Sequence, residues 1–222
     1  EIILLIIFTV VISFLYKKVF PKISNKLLLI PVSILIFIIY ILWVYILKLA
    51  PIADQIKIHE ITRYFIGNDL SFHLSPTQYL FLYPYQFGLI YFISFFYKIF
   101  GENYMVIEYF NTVCSIANFY LLYFIIKEIF EDKNIQKITI LLITGFSLYW
   151  LFFNVHFYGN IIGLTFALIS ILLILKYLNN NKLLYLLFSG LSIGIAILVK
   201  SNYNIFLCGI IIVLLLDIIQ NW

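Results

Sequence analysis

The chain has 222 residues, of which 64% are hydrophobic, 20% aromatic and only 11% charged, with a net charge of +4. Its mean hydropathy of +1.09 does not fit a soluble domain, in which about half of the residues are apolar. No soluble basic surface exists for nucleic acid, so the expected partner of this surface is membrane lipid.

The first apolar run, 1–16, is followed by Lys17, Lys18, Lys22 and Lys26. A signal peptide has its basic residues in front, so this run reads as a span. The chain starts inside that run without methionine and stops soon after another. It is therefore expected to be the N-terminal part of a longer protein, with 1–222 forming a single transmembrane domain. Further spans are expected over 27–49, 79–100, 104–127, 137–155, 160–178, 183–199 and 203–219, each near the about 20 apolar residues that cross a bilayer. The runs are continuous, which argues against the alternating pattern of an outer-membrane barrel. The expected fold class is all-α: a polytopic helical protein with an amphipathic juxtamembrane helix in its first outer loop. Cys114 and Cys208 fall inside predicted spans, where thiols behave as small apolar groups.

The lysines after the first run mark a cytoplasmic loop by the positive-inside rule, which puts the loop 50–78 on the outer face. Two topologies follow. If 79–100 crosses, the loops 127–137 and 176–182, with Lys127, Lys133, Lys137, Lys176 and Lys182, fall outside. If 79–100 dips in and returns, or lies partly in the interface, both become cytoplasmic, which suits the lysines better.

The outer loop 50–78 gathers Asp54, Lys57, His59, Glu60, Arg63 and Asp69 in one short stretch, and Arg63 is the only arginine. Pro51 ends the preceding span, and a helix is expected from Asp54 to Ile66, closed by Gly67-Asn68. Asp54, Ile58, Ile61 and Phe65 share one face, with His59, Glu60 and Arg63 opposite. Such a helix can lie flat on the membrane with Asp54 at the lipid–water boundary. Asp54 can equally be an N-cap, and Glu60–Arg63 a solvated pair. His59 and His73 lack metal-ligand spacing, so no metal site is expected; whether a divalent metal is needed cannot be read from the chain. His156 reads as an interfacial hydrogen-bonding residue.

Tyr83, Tyr85 and Gln86 stand in the aromatic segment 79–92, suited to contacts with sugar or polyprenyl chain. Glu108, Asn111, Ser115 and Asn118 recur along one face of the span 104–127, where polar groups either hydrogen-bond between helices or line a wet cavity. Lys200, before Ser201-Asn202-Tyr203, is either a snorkelling interface lysine or a phosphate-binding one.

The order of these motifs resembles a known superfamily. An outer loop opening 51-PIAD-54, an amphipathic helix, 83-YPYQFGLIY-91 running to 98-KIFG-101, then 154-NVHFYGNIIGLTF-166 and 194-GIAILVKSNYNIF-206, is similar to GT-C membrane glycosyltransferases. The nearest branch is that of the protein O-mannosyltransferases and aminoarabinose transferases, over most of 28–206. The resemblance implies a polyprenyl-phosphate-linked sugar as donor and an acceptor hydroxyl on a glycan, lipid or protein. It implies a site at the outer face of the cell membrane, as in a bacterial plasma membrane, with no certain cofactor. Asp54 matches the general base; Arg63 and Lys200 are the cations available to the leaving phosphate. His59 and Glu60 are candidates to orient base or acceptor, with Tyr83, Tyr85 and Gln86 contacting substrate and Glu108, Asn111 and Asn118 lining a cavity. Where the mannosyltransferase branch typically has Asp-Glu, this chain has Asp54-Gln55. A transporter or flippase of lipid-linked sugars, using the Glu108–Asn118 stripe, predicts inverted repeats, and none is visible. A noncatalytic scaffold, with Asp54 as a cap, is the other alternative.

Overall fold

The computed structural model describes residues 24–67 and 74–220. The expected span 1–16, Lys17, Lys18, Lys22, Asn68, Asp69 and His73 lie outside the described residues. Among the described residues every regular element is helical. In chain order they are α1 (Asn25–Leu47), α2 (Asp54–Ile66), the single turn α3 (Tyr79–Leu82), a 3-10 turn Pro84–Gln86, α4 (Phe87–Phe100), α5 (Met105–Ile129), α6 (Lys133–Asn154), α7 (Asn160–Asn180), α8 (Leu183–Val199), a 3-10 turn Ser201–Tyr203 and α9 (Asn204–Gln220).

Local signals explain the boundaries. Ser24 accepts a hydrogen bond from the Leu27 amide at 3.2 Å and so caps α1, and Asp132 does the same for α6 through the Asn134 amide at 2.7 Å. Both are favoured capping residues. The stretches Asn25–Leu47, Met105–Ile129, Asn160–Asn180 and Ser201–Gln220 are long and apolar enough to cross a membrane. Large apolar side chains such as Ile34, Leu42, Leu187, Leu191, Leu216 and Ile219 are exposed along the helices. In a polytopic protein these meet lipid, and they need no partner in the chain.

α5 is central and packs against α1, α6 and α7. α1 docks through polar contacts as well as apolar ones: Ser33 and Tyr120 hydroxyls meet at 2.7 Å, and the Tyr40 hydroxyl donates to the Ser147 carbonyl. α7 and α8 form an antiparallel pair, where Ser170 and Ser189 hydroxyls meet at 2.7 Å and Ser192 donates to the Phe166 carbonyl at 2.8 Å. Small hydroxylated residues are what lets helix backbones approach within lipid.

The expected span 79–100 is not one helix. Pro84 lacks an amide proton and pushes Tyr83 out of the helical region, to φ −127° and ψ 63°, as prolines do to the residue before them. What remains is α4, of 14 residues, about 21 Å at about 1.5 Å per residue, against about 30 Å of hydrocarbon. Both ends of α4 lie at the same end of the bundle. Gln86, just before it, meets Tyr158, while Glu102, just after it, meets Arg63 of α2. The segment therefore stays at that end, packed on α2, and does not cross.

That decides the topology between the two alternatives. The Asn25 amide donates to Gln136 at 2.8 Å and Asn179 to Glu128 at 3.2 Å, so the start of α1, the 127–137 connection and the end of α7 share one end. Lys26, Lys127, Lys133, Lys137, Lys176 and Lys182 belong to this end, which the positive-inside rule assigns to the cytoplasm. α2, α4, the 155–159 connection and Lys200 occupy the opposite end.

The helix α2 covers the residues expected of it, and Ile58, Ile61 and Phe65 of its expected face pack inward, whereas Asp54 does not. Gln55, Ile58, Ile61 and Thr62 are buried, and Asp54 is exposed. Ile58 and Ile61 are fully covered, in a cluster with Leu89, Ile90, Ile93 and Ile107. The apolar face meets α4 and α5, so it is not left for lipid. Close approach also shapes the other side of α4: a Cβ on Gly88 would stand 2.1 Å from the Leu198 carbonyl oxygen of α8.

Cysteines replacing Lys57 and Glu131, in a background lacking Cys114 and Cys208, should label from opposite sides of sealed vesicles with a membrane-impermeant maleimide. Labelling from the same side would mean that 79–100 crosses. Gly88→Ala must displace backbone rather than a flexible side chain. It should destabilise the protein by about 1–3 kcal/mol, the usual cost of overpacking, read as a lowered Tm in detergent.

Candidate active site

Asp54 is the first residue of α2, and the capping position before it belongs to Ala53, at φ 49°, which makes no side-chain capping bond. A positive φ is strained for alanine, and Asp54 stands inside the first turn rather than at the cap. The N-cap alternative therefore does not hold. Asp54 Oδ2 instead accepts a hydrogen bond from the Tyr158 hydroxyl at 3.2 Å.

Tyr158 lies in the connection between α6 and α7. Gly159 follows it at φ 77°, and a Cβ there would also stand 2.8 Å from Val199 Cγ1, so the turn requires glycine on both counts. A phenol has one proton to donate. Tyr158 gives it to Asp54 and accepts from Gln86 Nε2 at 2.7 Å, with the Tyr79 hydroxyl 3.5 Å away. Burial holds the hydroxyls of Tyr79 and Tyr158 above the ordinary phenol range, which keeps both protonated at neutral pH.

Lys200 ends α8, with its ammonium 3.7 Å from the centre of the Tyr158 ring, a cation–π contact. Burial pushes Lys200 down to about 8, opposed by the Asp54 charge. Tyr85, Gln86, Tyr158, Lys200, Ser201 and Asn202 line a cavity of about 250 Å³ beside it. Four segments far apart in sequence thus meet at one tyrosine side chain.

Arg63 is turned away from this cavity. Its Nε donates to Glu102 Oε2 at 2.7 Å, and Glu60 pairs with Lys57 at 3.2 Å, so the expected Glu60–Arg63 pairing is replaced by two others. These groups border a second, larger cavity of about 850 Å³, which Tyr64, Tyr79 and Tyr83 also line. His59 bonds the Tyr97 hydroxyl through Nδ1 at 2.7 Å and stands edge-on to Tyr97, Tyr104 and Phe157. Burial, then the Arg63 charge, lowers its pKa, so it is neutral at pH 7. His59 and Glu60 make their contacts away from Asp54, and His59 fastens α2 to α4. The tyrosine series Tyr79, Tyr83, Tyr85, with ring centres 4.9 Å and then 6.0 Å apart, runs from the large cavity to the small one.

The polar stripe of α5 is interior, not the lining of either cavity. Glu108, Asn111 and Asn118 are at most 1% exposed. Asn111 Nδ2 donates to the carbonyls of Asn154 and His156, both at 3.1 Å. Ser115 donates to Asn154 Oδ1 at 3.1 Å, Asn154 Nδ2 to Thr112 at 2.6 Å, and Asn118 Nδ2 to the Ile161 carbonyl at 3.4 Å. The stripe anchors the connection that carries Tyr158. Both carboxylate oxygens of Glu108 lack a hydrogen-bond partner among the described residues. Lys200 and Gln86, by contrast, both line the smaller cavity.

Sequence reasoning missed Tyr158, Tyr79 and Glu102. Tyr158 was within the quoted 154–166 segment, where a tyrosine before glycine, between two spans, was the available signal. Among the described residues no group of three or more His, Cys, Asp or Glu side chains forms a metal-binding cluster.

Residues 86–222 match the family described as dolichyl-phosphate-mannose-protein mannosyltransferase. No curated protein and no solved structure matches the chain. The matched stretch begins at Gln86, includes Tyr158 and Lys200, and covers more than half of the chain. Together with the helical membrane architecture, this match makes the chain a member of the dolichyl-phosphate-mannose-protein mannosyltransferase family, a membrane glycosyltransferase of the GT-C type.

Proposed function

We propose that the protein transfers a sugar from a polyprenyl-phosphate donor to an acceptor hydroxyl at the outer face of the cell membrane, a bacterial plasma membrane, with Asp54 as general base. The observation that carries this reading is the position of the Asp54 carboxylate. It is exposed, unused as a helix cap, held through Oδ2 by Tyr158, and next to a cavity that contains Lys200.

With Oδ2 oriented by Tyr158, Oδ1 is left to take the proton of the acceptor hydroxyl. The acceptor oxygen attacks the anomeric carbon, the bond from that carbon to the phosphate oxygen breaks, and polyprenyl phosphate leaves with the bonding electrons. The growing charge on the phosphate falls to Lys200, a charge-assisted partner in a half-buried site where such stabilisation is strong. Gln86, Tyr85, Ser201 and Asn202 supply neutral polar groups around it. Arg63, engaged by Glu102 at the other cavity, is left out of this assignment. Tyr158 is a positioning residue: it fixes the base and supports the Lys200 ammonium on its ring face.

Asp54→Asn keeps an acceptor for Tyr158 and removes the base. Sugar transfer in the full-length protein should fall about 10²–10⁴-fold, the usual contribution of general-base catalysis, with Tm unchanged. A noncatalytic scaffold would show no transfer to lose, and an Asn variant as active as wild type would remove Asp54 from the chemistry.

Lys200 must be charged to meet the phosphate. It is a cation below about 8 and neutral above, so kcat/KM for the donor, which reports groups of the free enzyme, should fall as pH rises through about 8. Lys200→Arg, whose guanidinium stays charged, should remove that fall, whereas Lys200→Met should weaken donor binding about 10–100-fold, the worth of one hydrogen bond to a charged group. An alkaline limb that persists in Lys200→Arg would assign it to another group.

A further inference from the structure

The larger cavity, which is linked to Asp54 through Tyr79 and Tyr158, has no part in the donor chemistry above. We infer that it binds a neutral carbohydrate, so that the acceptor is an uncharged glycan; this rests on the transferase reading and names the substrate class of its second half.

Charge is the first argument. The charged residues among the described lining groups are Lys57, Glu60, Arg63 and Glu102, two cations and two anions. They are matched as pairs at 3.2 Å and 2.7 Å, so the described lining residues offer no surplus charge. A phosphorylated or otherwise anionic acceptor calls for unmatched cations, as the Lys200 cavity provides, and a cationic one calls for unmatched carboxylates. A polyol needs neither. Its vicinal hydroxyls both donate and accept, and paired guanidinium and carboxylate groups present both functions side by side.

Shape and aromatic content are the second. The cavity, at about 850 Å³, lies within the about 300–1,000 Å³ typical of small-ligand sites. Tyr64 and Tyr83 are 53% and 41% exposed, and Tyr79 forms the wall toward Asp54. Tyrosine offers an apolar ring face with a polar tip, the counterpart of a pyranose ring with its apolar faces and hydroxyl rim. An extended peptide would instead draw on a strand edge or a long apolar groove; no strand exists among the described residues, and this cavity is bordered by charges.

Continuity is the third. Tyr79 lines the cavity, and its hydroxyl is 3.5 Å from that of Tyr158, which holds Asp54. A glycan in this cavity thus meets, at Tyr79, the chain of hydroxyls that ends on Asp54, while Lys200 lines the other cavity.

The test uses the full-length protein in lipid nanodiscs and saturation-transfer NMR. The probes are neutral manno-, malto-, cello- and chitotetraose, 6-phosphorylated mannotetraose, and a Ser/Thr-rich octapeptide. At least one neutral tetrasaccharide should bind wild type better than the phosphorylated sugar or the peptide. Tyr83→Ala should weaken that binding about tenfold or more, and Tyr83→Phe, which keeps the ring, should restore it. Glu102→Gln leaves the Arg63 charge unmatched and should turn the preference about tenfold toward phosphorylated mannotetraose. Tighter binding of the peptide or the phosphorylated sugar to wild type, no binding of any neutral tetrasaccharide, or Tyr83→Ala binding as wild type does with its Tm unchanged, each overturns the inference. Asp54→Asn separates the two readings. If a tetrasaccharide binds and Asp54→Asn still transfers sugar, the base assignment falls and the cavity assignment stands. If none binds while Asp54→Asn abolishes transfer, the cavity assignment falls and the base remains.

Discussion

The hydrogen bond from Tyr158 to Asp54 joins residues 104 positions apart, and the rest of the site is arranged about it. A phenol can donate only once, so giving its proton to Asp54 obliges Tyr158 to accept from its other neighbours, and Gln86 supplies that donor. The same ring carries the Lys200 ammonium on its face. One side chain therefore sets the distance between a carboxylate and a cation without letting them neutralise each other in a direct ion pair.

Holding Tyr158 in place is the work of buried amides. In a bilayer an unsatisfied polar group costs several kcal/mol, and the Nδ2 groups of Asn111, Asn118 and Asn154 and the Ser115 hydroxyl offset that cost by binding one another, Thr112 or the carbonyls of the connection 154–161. The network that lowers this cost also fastens an irregular stretch of backbone to the central helix. Non-helical chain at a membrane boundary is best tolerated where protein covers it. The Tyr158 connection meets that condition.

The same constraint explains α4. A segment broken at Pro84 and too short to span must return to the side it came from, and its ends then carry Gln86 to one cavity and Glu102 to the other. Gly88 and Gly159 bring α4 and the 155–159 turn against the end of α8, close enough for Lys200 to reach Tyr158. The two cavities differ in charge for a reason visible in the pairing: Arg63 has a carboxylate partner at 2.7 Å, and Lys200 has an aromatic face.

By itself the sequence determined the membrane class, the positions of most helices, the bounds of α2 and the family, because these depend on apolar run length, capping residues and motif order, all local properties. It also singled out Asp54, Lys200 and Gln86. Only the tertiary structure decided which polar residues meet. Arg63 and Lys200, both cations near the outer face, end in different cavities because α2 presents Arg63 to the chain that follows α4. Asp54 proved exposed, and it does not cap because the helix starts on it and leaves the cap position to Ala53. The Glu108–Asn118 stripe reads the same in sequence whether it lines water or packs; the backbone carbonyls of 154–161, which carry no sequence signature, made it packing. Whether 79–100 crosses depended on a proline's effect on one turn and on where both ends of α4 dock, and docking is a property of the partner surfaces.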